Sequence, residues 1–127
     1  QNFMISANGF IQWAGIAALT KAKKDVDKMI KIYDKRRQYM LARLLKMGFA
    51  IHLEPTGAFY VFADAKRFCK DSYREAFNII EEVKVGVTPG IDFGSCGEGF
   101  LRFSYANSLE NIKEGLDRLE RYLLKYF

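Results

Sequence analysis

Hydrophobic residues recur every three or four positions through the first third of the chain. The apolar positions are Ile11 through Leu19, Val26, Met29, Ile30, Tyr33, Met40, Leu44 and Met47. This spacing is the period of one helical face, and it predicts helix over about residues 11 to 47. Because so long a helix is uncommon in a globular domain, we expect a bend or break near residues 20 to 25. Gly48 is predicted to end the helix.

The middle of the chain shows the shorter patterns that are typical of strands. The run FAIHL at 49–53 alternates, and AFYVFA at 58–63 is rich in aromatic and β-branched residues. The Pro-Thr-Gly at 55–57 favours a hairpin between them. A brief strand is predicted around 85–87, and the run GFLRFSYA at 99–106 predicts a fourth strand.

Two more helices complete the predicted fold. Ser72 and Glu75 form a capping-box pattern that predicts a helix to about Glu82. Ser108 is predicted to cap the last helix, whose apolar positions are Leu109, Ile112, Leu116, Leu119, Leu123 and Tyr126. The expected fold class is α/β, in the two-layer α+β form. A small mixed or antiparallel sheet of about four strands is covered by helices, including the long N-terminal helix and the C-terminal one.

Composition limits the kind of protein this is. The chain has 127 residues, half of them apolar, which is enough for one globular domain over residues 1–127. The net charge of +5 permits binding to nucleic acid or an anionic surface. The cations, however, cluster at 21–24, 28–31 and 35–37 among aspartates, a pattern typical of the solvated face of a helix. We therefore expect no nucleic-acid partner.

Cysteine and histidine usage gives no sign of a metal or disulfide framework. Cys69 and Cys96 form no CxxC pair, which predicts free thiols, a reducing compartment and a cytoplasmic protein. No apolar run reaches the roughly 20 residues needed to span a bilayer, so no membrane association is expected. His52, the only histidine, has no cysteine or acid at metal or triad spacing, and we interpret it as an ordinary strand residue.

One arginine stands in the middle of a predicted strand. Alternation places Leu101, Phe103 and Tyr105 on the core face, and Arg102 on the opposite face beside Ser104. Removing a guanidinium from water is unfavourable unless acceptors meet it. The acceptor is either one of the fifteen acids of the chain, in a structural salt bridge, or an external carboxylate held by both arms of the guanidinium. The local pattern leaves both explanations open.

Three motifs carry a resemblance to a known family. PTGAFYVF at 55–62, GVTPGIDFG at 86–94 and GFLRFSYANSLENIKEGLDRL at 99–119 resemble, in order and spacing, the C-terminal part of class I and II aminotransferases. These are fold-type I enzymes that use pyridoxal phosphate. Within the family, the resemblance favours an enzyme of the aspartate aminotransferase type. SANGFIQWAGIAAL at 6–19 is similar to the segment leading into their small domain. The resemblance implies a C-terminal small domain, with residues 1–24 joining it to a large domain.

The same resemblance implies roles for particular residues. Arg102 is similar to the family's arginine that binds the α-carboxylate of the amino-acid substrate. Gly57, Pro89, Gly90 and Phe93 correspond to supporting positions near the site. Glycine and proline are also what any tight turn uses, so an ordinary turn role stays open for them.

The residues that would carry the chemistry have no counterparts in this chain. The family's Schiff-base lysine lies in a Ser-x-Ser-Lys context, and no serine here precedes a lysine by one to three residues. We therefore expect a fragment of a longer enzyme, with no catalytic residue and no metal ligand of its own. The resemblance implies that pyridoxal phosphate would be bound mainly by the large domain of that enzyme. The parent would be a homodimeric aminotransferase acting on an amino acid and a 2-oxo acid.

Other functions share these features. A β-eliminating lyase, a cyclopropane-forming synthase and an aminotransferase-like transcription regulator all carry the same carboxylate-binding arginine. A free-standing binding module, for example for nucleic acid, is suggested by the net charge and by the aromatic residues Phe59, Tyr60 and Phe62. No RNP-type or GXXG signature accompanies them.

The missing lysine leads to a direct prediction. We expect the isolated 127-residue chain to form no covalent adduct with pyridoxal phosphate and to have no transaminase activity, because no suitably placed amine is present. Absorbance spectroscopy of the purified chain mixed with the cofactor tests this. An internal-aldimine band near the edge of the visible range would contradict it.

Overall fold

The computed structural model describes residues 8–127. The chain divides into two compact units, one ending at Ile32 and one running from Tyr33 to Phe127. Helix α1 spans Gly9–Lys21 and helix α2 spans Lys23–Met47, separated by Ala22. The break predicted near residues 20 to 25 is therefore confirmed.

Helix α1 has no buried residue. Its N-cap is Asn8, whose side-chain oxygen accepts a hydrogen bond from the Phe10 amide at 3.4 Å. Its large apolar side chains are exposed, most of all Leu19 at 91% and Trp13 at 73%. In the first turns of α2 the Lys23 ammonium lies 3.0 Å from the Asp27 carboxylate, and both are exposed. The cations at 21–24 and 28–31 thus lie on a solvated helix face, as predicted, whereas the Arg37 side chain is only 18% exposed and pairs with carboxylates.

The second unit begins with the rest of α2 and a sharp turn. Gly48, at φ +97°, follows the last helical residue, as predicted. The turn sends Phe49 into the core, where its ring centroid lies 4.8 Å from that of Phe68 and 5.3 Å from that of Phe103.

The sheet has three antiparallel strands. They are β1 at Tyr60–Asp64, β2 at Thr88–Pro89 and β3 at Phe100–Ser104, in the spatial order β1-β3-β2. β3 is therefore the central strand. It carries Arg102, which lies opposite Phe62 on one side and Thr88 on the other.

The predicted strand at 49–53 and its hairpin with β1 are wrong. Only Ala50 pairs with the sheet, through two backbone hydrogen bonds to Asp64 of 3.2 and 2.9 Å. After Ala50 the chain leaves the sheet, and Glu54 and Pro55 contact Arg37 of α2 instead. The ladder partner of β1 is β3, which follows about 40 residues later. The brief strand expected at 85–87 lies slightly further on, as β2.

The two remaining helices are α3 at Ser72–Val83 and α4 at Leu109–Tyr126. Ser108 caps α4 as predicted, since its hydroxyl accepts the Asn111 amide at 3.1 Å. The predicted cap of α3 is wrong by one residue, because the Asp71 carboxylate accepts the Arg74 amide at 2.9 Å. Ser72 is buried, and its hydroxyl accepts a hydrogen bond from the Ile91 amide.

The core lies on one face of the sheet, between the strands and the helices. It joins residues of β1 and β3 to the helices of the second unit. Its most buried large side chains are Leu44, Val61, Ile79, Leu101, Tyr105 and Leu119. The predicted alternation of β3 is confirmed, because Leu101 and Phe103 are buried while Arg102 is half-buried and Ser104 exposed. The fold is a two-layer mixture of helices and a small sheet, as expected.

Two short 3-10 turns, Gly90–Phe93 and Ser95–Gly97, connect β2 to β3. The backbones of Gly90 and Gly97 lie in very close contact. A Cβ on Gly90 would lie 2.0 Å from the Gly97 carbonyl oxygen, and one on Gly97 would lie 2.1 Å from the Gly90 oxygen. Both atoms that would be struck belong to the backbone, so neither can move aside without displacing the turn. Only glycine fits at these two positions.

We expect Gly90→Ala to lower the free energy of unfolding by at least about 2 kcal/mol, because the added methyl overpacks this contact. Gly86→Ala is the matched control, since a Cβ there meets nothing within 4 Å and its φ is not positive. Thermal denaturation of both variants measures the difference. Equal melting temperatures would contradict the close contact.

Candidate functional site

Arg102 lies at the centre of the sheet face that the helices do not cover. The register of the central strand places it between Phe62 of β1 and Thr88 of β2. Side chains of alternate residues share a face, so Phe100 and Ser104 are its neighbours along β3. This face is half-buried to exposed, in contrast to the buried face of Leu101 and Phe103.

Two aromatic rings bracket the Arg102 guanidinium. Its central carbon lies 5.2 Å from the ring centroid of Tyr60 and 5.1 Å from that of Phe93. Tyr60 belongs to β1, and Phe93 belongs to the turn after β2, so the rings approach from the two sides of the central strand. Such contacts stabilise a cation by about 0.5–1 kcal/mol each when exposed and leave the planar edge of the fork free for other partners.

A structural salt bridge to Arg102, one of the two explanations left open by the sequence, is not present among residues 8–127. No carboxylate of this part of the chain lies within 4 Å of its guanidinium nitrogens, and its buried Nε has no hydrogen-bond acceptor there. Arg37 and Arg43 both have close carboxylates. A buried donor without an acceptor is unfavourable by about 1–3 kcal/mol. The side chain is thus held by rings, with its hydrogen-bonding capacity unused by the described residues.

Further aromatic rings extend the surface around this arginine. Phe62 stacks on Phe100 with ring centroids 5.0 Å apart and an interplanar angle of 4°. Phe93 meets the edge of Phe62 at 5.7 Å. The candidate site therefore consists of Arg102 on an apolar, aromatic floor, and the Lys66 ammonium lies 4.8 Å from the ring centroid of Phe100.

The structure brings some of the predicted supporting residues to Arg102. Phe93 contacts it directly, and Pro89 pairs with Leu101, the neighbour of Arg102 in β3. Gly90 begins the turn that carries Phe93. Gly57 lies in the loop before β1, where its carbonyl accepts the Tyr105 hydroxyl at 3.4 Å. Their roles toward a substrate stay predictions.

A partly buried hydrogen-bond network fixes the turn that carries Phe93. The Ser72 hydroxyl accepts the Ile91 amide at 3.2 Å. One oxygen of Glu98 accepts the backbone amides of Ser72 at 2.6 Å and Gly99 at 2.8 Å. These amides, with the Ser72 hydroxyl, lower the pKa of Glu98 against a smaller effect of burial. The sequence did not indicate Glu98, because Ser72, its partner on α3, is 26 residues away in the chain.

His52 forms a pair that the sequence did not predict. Its Nε2 lies 2.9 Å from a carboxylate oxygen of Asp64, and the Lys66 ammonium lies 3.8 Å from the same oxygen. Burial acts to raise the pKa of Asp64, but the hydrogen bonds from His52 and the Lys66 amide outweigh it, and the pKa is lowered. His52 is exposed and lies in a bend outside the strands, so its interpretation as a strand residue is wrong.

The two thiols are free, as predicted. Cys69 is buried, and desolvation together with the nearby carboxylate of Glu75 raises its pKa to about 11, so it is an unreactive core residue. Within the described residues there is no cluster of histidine, cysteine and acids that could hold a metal ion. None of the described helices is long and apolar enough to cross a membrane.

The lowered pKa of Glu98 predicts a pH-dependent contribution to stability. A depressed carboxyl pKa stabilises the fold above the ordinary value of 4.5, and this contribution is lost as the pH falls through the lowered pKa. We expect Glu98→Gln to reduce the melting temperature at pH 7 and the difference from the wild type to shrink below about pH 4.5.

Glu81→Gln is the matched control for this measurement, because Glu81 is an exposed glutamate on α3. Its melting temperature should follow that of the wild type over the whole pH range. If the melting temperature of Glu98→Gln were lower than that of the wild type by the same amount at every pH, the loss would not come from hydrogen bonds to the ionised Glu98 carboxylate.

Comparison with known proteins identifies the family. Residues 1–119 match the family model described as aminotransferase class I and II. The chain is 40% identical to the (5-formylfuran-3-yl)methyl phosphate transaminase of Methanocaldococcus jannaschii, over 98% of this chain and 33% of that protein. It is also 40% identical to an aspartate aminotransferase of Pyrococcus abyssi, over 90% of this chain and 30% of the other.

Solved structures lead to the same family. A Methanococcus jannaschii protein whose active site is similar to that of kynurenine aminotransferases superposes with a TM-score of 0.86 at 40% identity, over 97% of this chain and 32% of that one. The chain thus spans about a third of the length of the relatives that it matches. With a family match over nearly its whole length, this chain belongs to the class I and II aminotransferases.

Proposed function

We propose that this chain is the C-terminal small domain of an aminotransferase, and that Arg102 binds the α-carboxylate of the substrate. The whole protein would transfer an amino group between an amino acid and a 2-oxo acid. The observation that supports this most is the state of Arg102. Its guanidinium is placed between two rings and has no carboxylate partner among the described residues.

The geometry suits a carboxylate better than other anions of similar charge. A guanidinium offers two parallel N–H donors, which match the two oxygens of a carboxylate. Tyr60 and Phe93 contact the group and restrict its rotation, so a bound carboxylate would be held in one orientation. Fixing the carboxylate also fixes the bond from Cα to its hydrogen, which the reaction must break.

The cofactor is part of the proposal for the whole protein. Class I and II aminotransferases generally depend on pyridoxal phosphate, which acts as an electron sink for the substrate carbon. The residues of this chain fit the substrate and not the cofactor. Arg102 has an unused buried Nε donor and lies on an aromatic floor, and no lysine stands in the expected serine-rich context.

The partners of this domain follow from the same proposal. The apolar side chains of α1 are exposed in this chain, and the relatives are about three times as long. We propose that the rest of the protein, a large domain that joins through residues 1–24, covers them. A homodimer is proposed for the parent enzyme, with amino-acid and 2-oxo-acid substrates bound through their carboxylates.

Replacing Arg102 in the full-length protein tests its role. Arg102→Lys keeps the charge but loses the two parallel donors, and we expect kcat/KM for amino acids to fall about 10- to 100-fold. Measuring kcat/KM for a panel of amino acids, each with the same 2-oxo acid, tests this for substrates with different side chains. The melting temperature should stay close to that of the wild type.

Arg121→Lys is the matched control, because Arg121 is an exposed arginine on α4. It should leave kcat/KM unchanged. If Arg102→Lys behaved like this control, Arg102 would have no role in binding the substrate.

A further inference from the structure

The loop that leads into β1 is held tightly although it is exposed. It spans residues 54–59, and five of its six residues are exposed. A loop with so little burial needs polar contacts to keep one conformation. It has them at both ends, from Arg37 of α2 and from Tyr105, which follows β3.

Arg37 holds the first end of this loop. Its Nη1 donates to the Pro55 carbonyl at 3.2 Å and lies 2.5 Å from a carboxylate oxygen of Glu54. Its Nε and Nη2 both donate to one oxygen of Asp34, at 3.0 and 2.8 Å. Gln38 donates to the other oxygen of Asp34 at 2.8 Å. Asp34 thus fixes the orientation of the guanidinium through Nε and Nη2, and Nη1 contacts the loop.

Tyr105 holds the second end. Its hydroxyl donates to the carbonyls of Gly57 and Ala58 at 3.4 and 3.3 Å, and its amide donates to the Phe59 carbonyl at 2.8 Å. Between these contacts Ala58 adopts a φ of +61°, in the left-handed region that is unfavourable for a residue with a Cβ. The contacts on both sides keep the backbone in this strained turn.

The strained turn lies directly before Tyr60, the first residue of β1, and so sets the position of its side chain. Tyr60 follows Ala58 by two residues, and its ring is packed edge-on by Phe59 at 5.7 Å. The same ring lies 5.2 Å from the central carbon of the Arg102 guanidinium. A shift of the loop would therefore move one of the two rings that hold the arginine.

We propose that Arg37 is a positioning residue for substrate binding, which acts through loop 54–59 and Tyr60 on the orientation of Arg102. This inference rests on the proposed role of Arg102. Arg37 touches no reacting group, and its contacts are to a loop carbonyl and to the exposed Glu54 and half-buried Asp34. Its removal therefore loosens a surface loop and leaves the packed core intact.

The test is made in the full-length protein with Arg37→Met, which keeps much of the side-chain volume but has no donors. We expect KM for amino acids to rise about tenfold while kcat changes less than about twofold, because binding of the carboxylate is weakened in the ground state and the transition state alike. Arg37→Lys keeps one donor for the loop and should recover part of the loss.

Lys35→Met is the matched control, since Lys35 is an exposed cation two residues away on the same helix. Its kinetics should equal those of the wild type. An unchanged KM in Arg37→Met would overturn the proposal. A fall in kcat/KM that only follows a fall in melting temperature would overturn it too, because that is the result of a merely structural role.

A double-mutant cycle separates this inference from the proposed function. If Arg37 acts through Arg102, Arg37→Met should cause almost no further loss of kcat/KM in an Arg102→Lys background. Independent, multiplying losses would overturn the positioning role. If Arg102→Lys alone had no effect, the proposed function itself would fail, whatever Arg37→Met did.

Discussion

A guanidinium on the central strand of a three-stranded sheet makes the two faces of that sheet different. Arg102 cannot be packed among aliphatic side chains without acceptors, so its face stays open while the helices cover the other. On the open face the cation is stabilised by the rings of Tyr60 and Phe93, which need no ionic partner. The fold can therefore keep an arginine half-buried without neutralising it.

The segments around this arginine are held by contacts between residues distant in sequence. Glu98 and Ser72 fix the turn that carries Phe93, and the close approach of Gly90 and Gly97 shapes it. On the other side of β3, Arg37 and Tyr105 hold the loop before Tyr60. Both supports act on backbone groups, which is how a small sheet with exposed loops maintains a defined site.

Local patterns predicted most elements of the fold correctly. The helices were found because their apolar spacing and caps act within a few residues, as at Ser108 and Gly48. The strand at 49–53 was wrong because alternation is also satisfied by a segment whose Phe49 packs in the core without a ladder. The capping box at Ser72 was wrong because its hydroxyl bonds Ile91, 19 residues away.

For the site, the sequence by itself determined that Arg102 lies on the face opposite the core, and the family motifs marked Phe93 near it. Only the tertiary structure decided that no described carboxylate meets this arginine, and that Tyr60 and Phe93 bracket it. Alternation along a strand is local and can be read from neighbouring residues. Which side chains meet across the sheet depends on strand order and register, and these follow from packing of the whole chain.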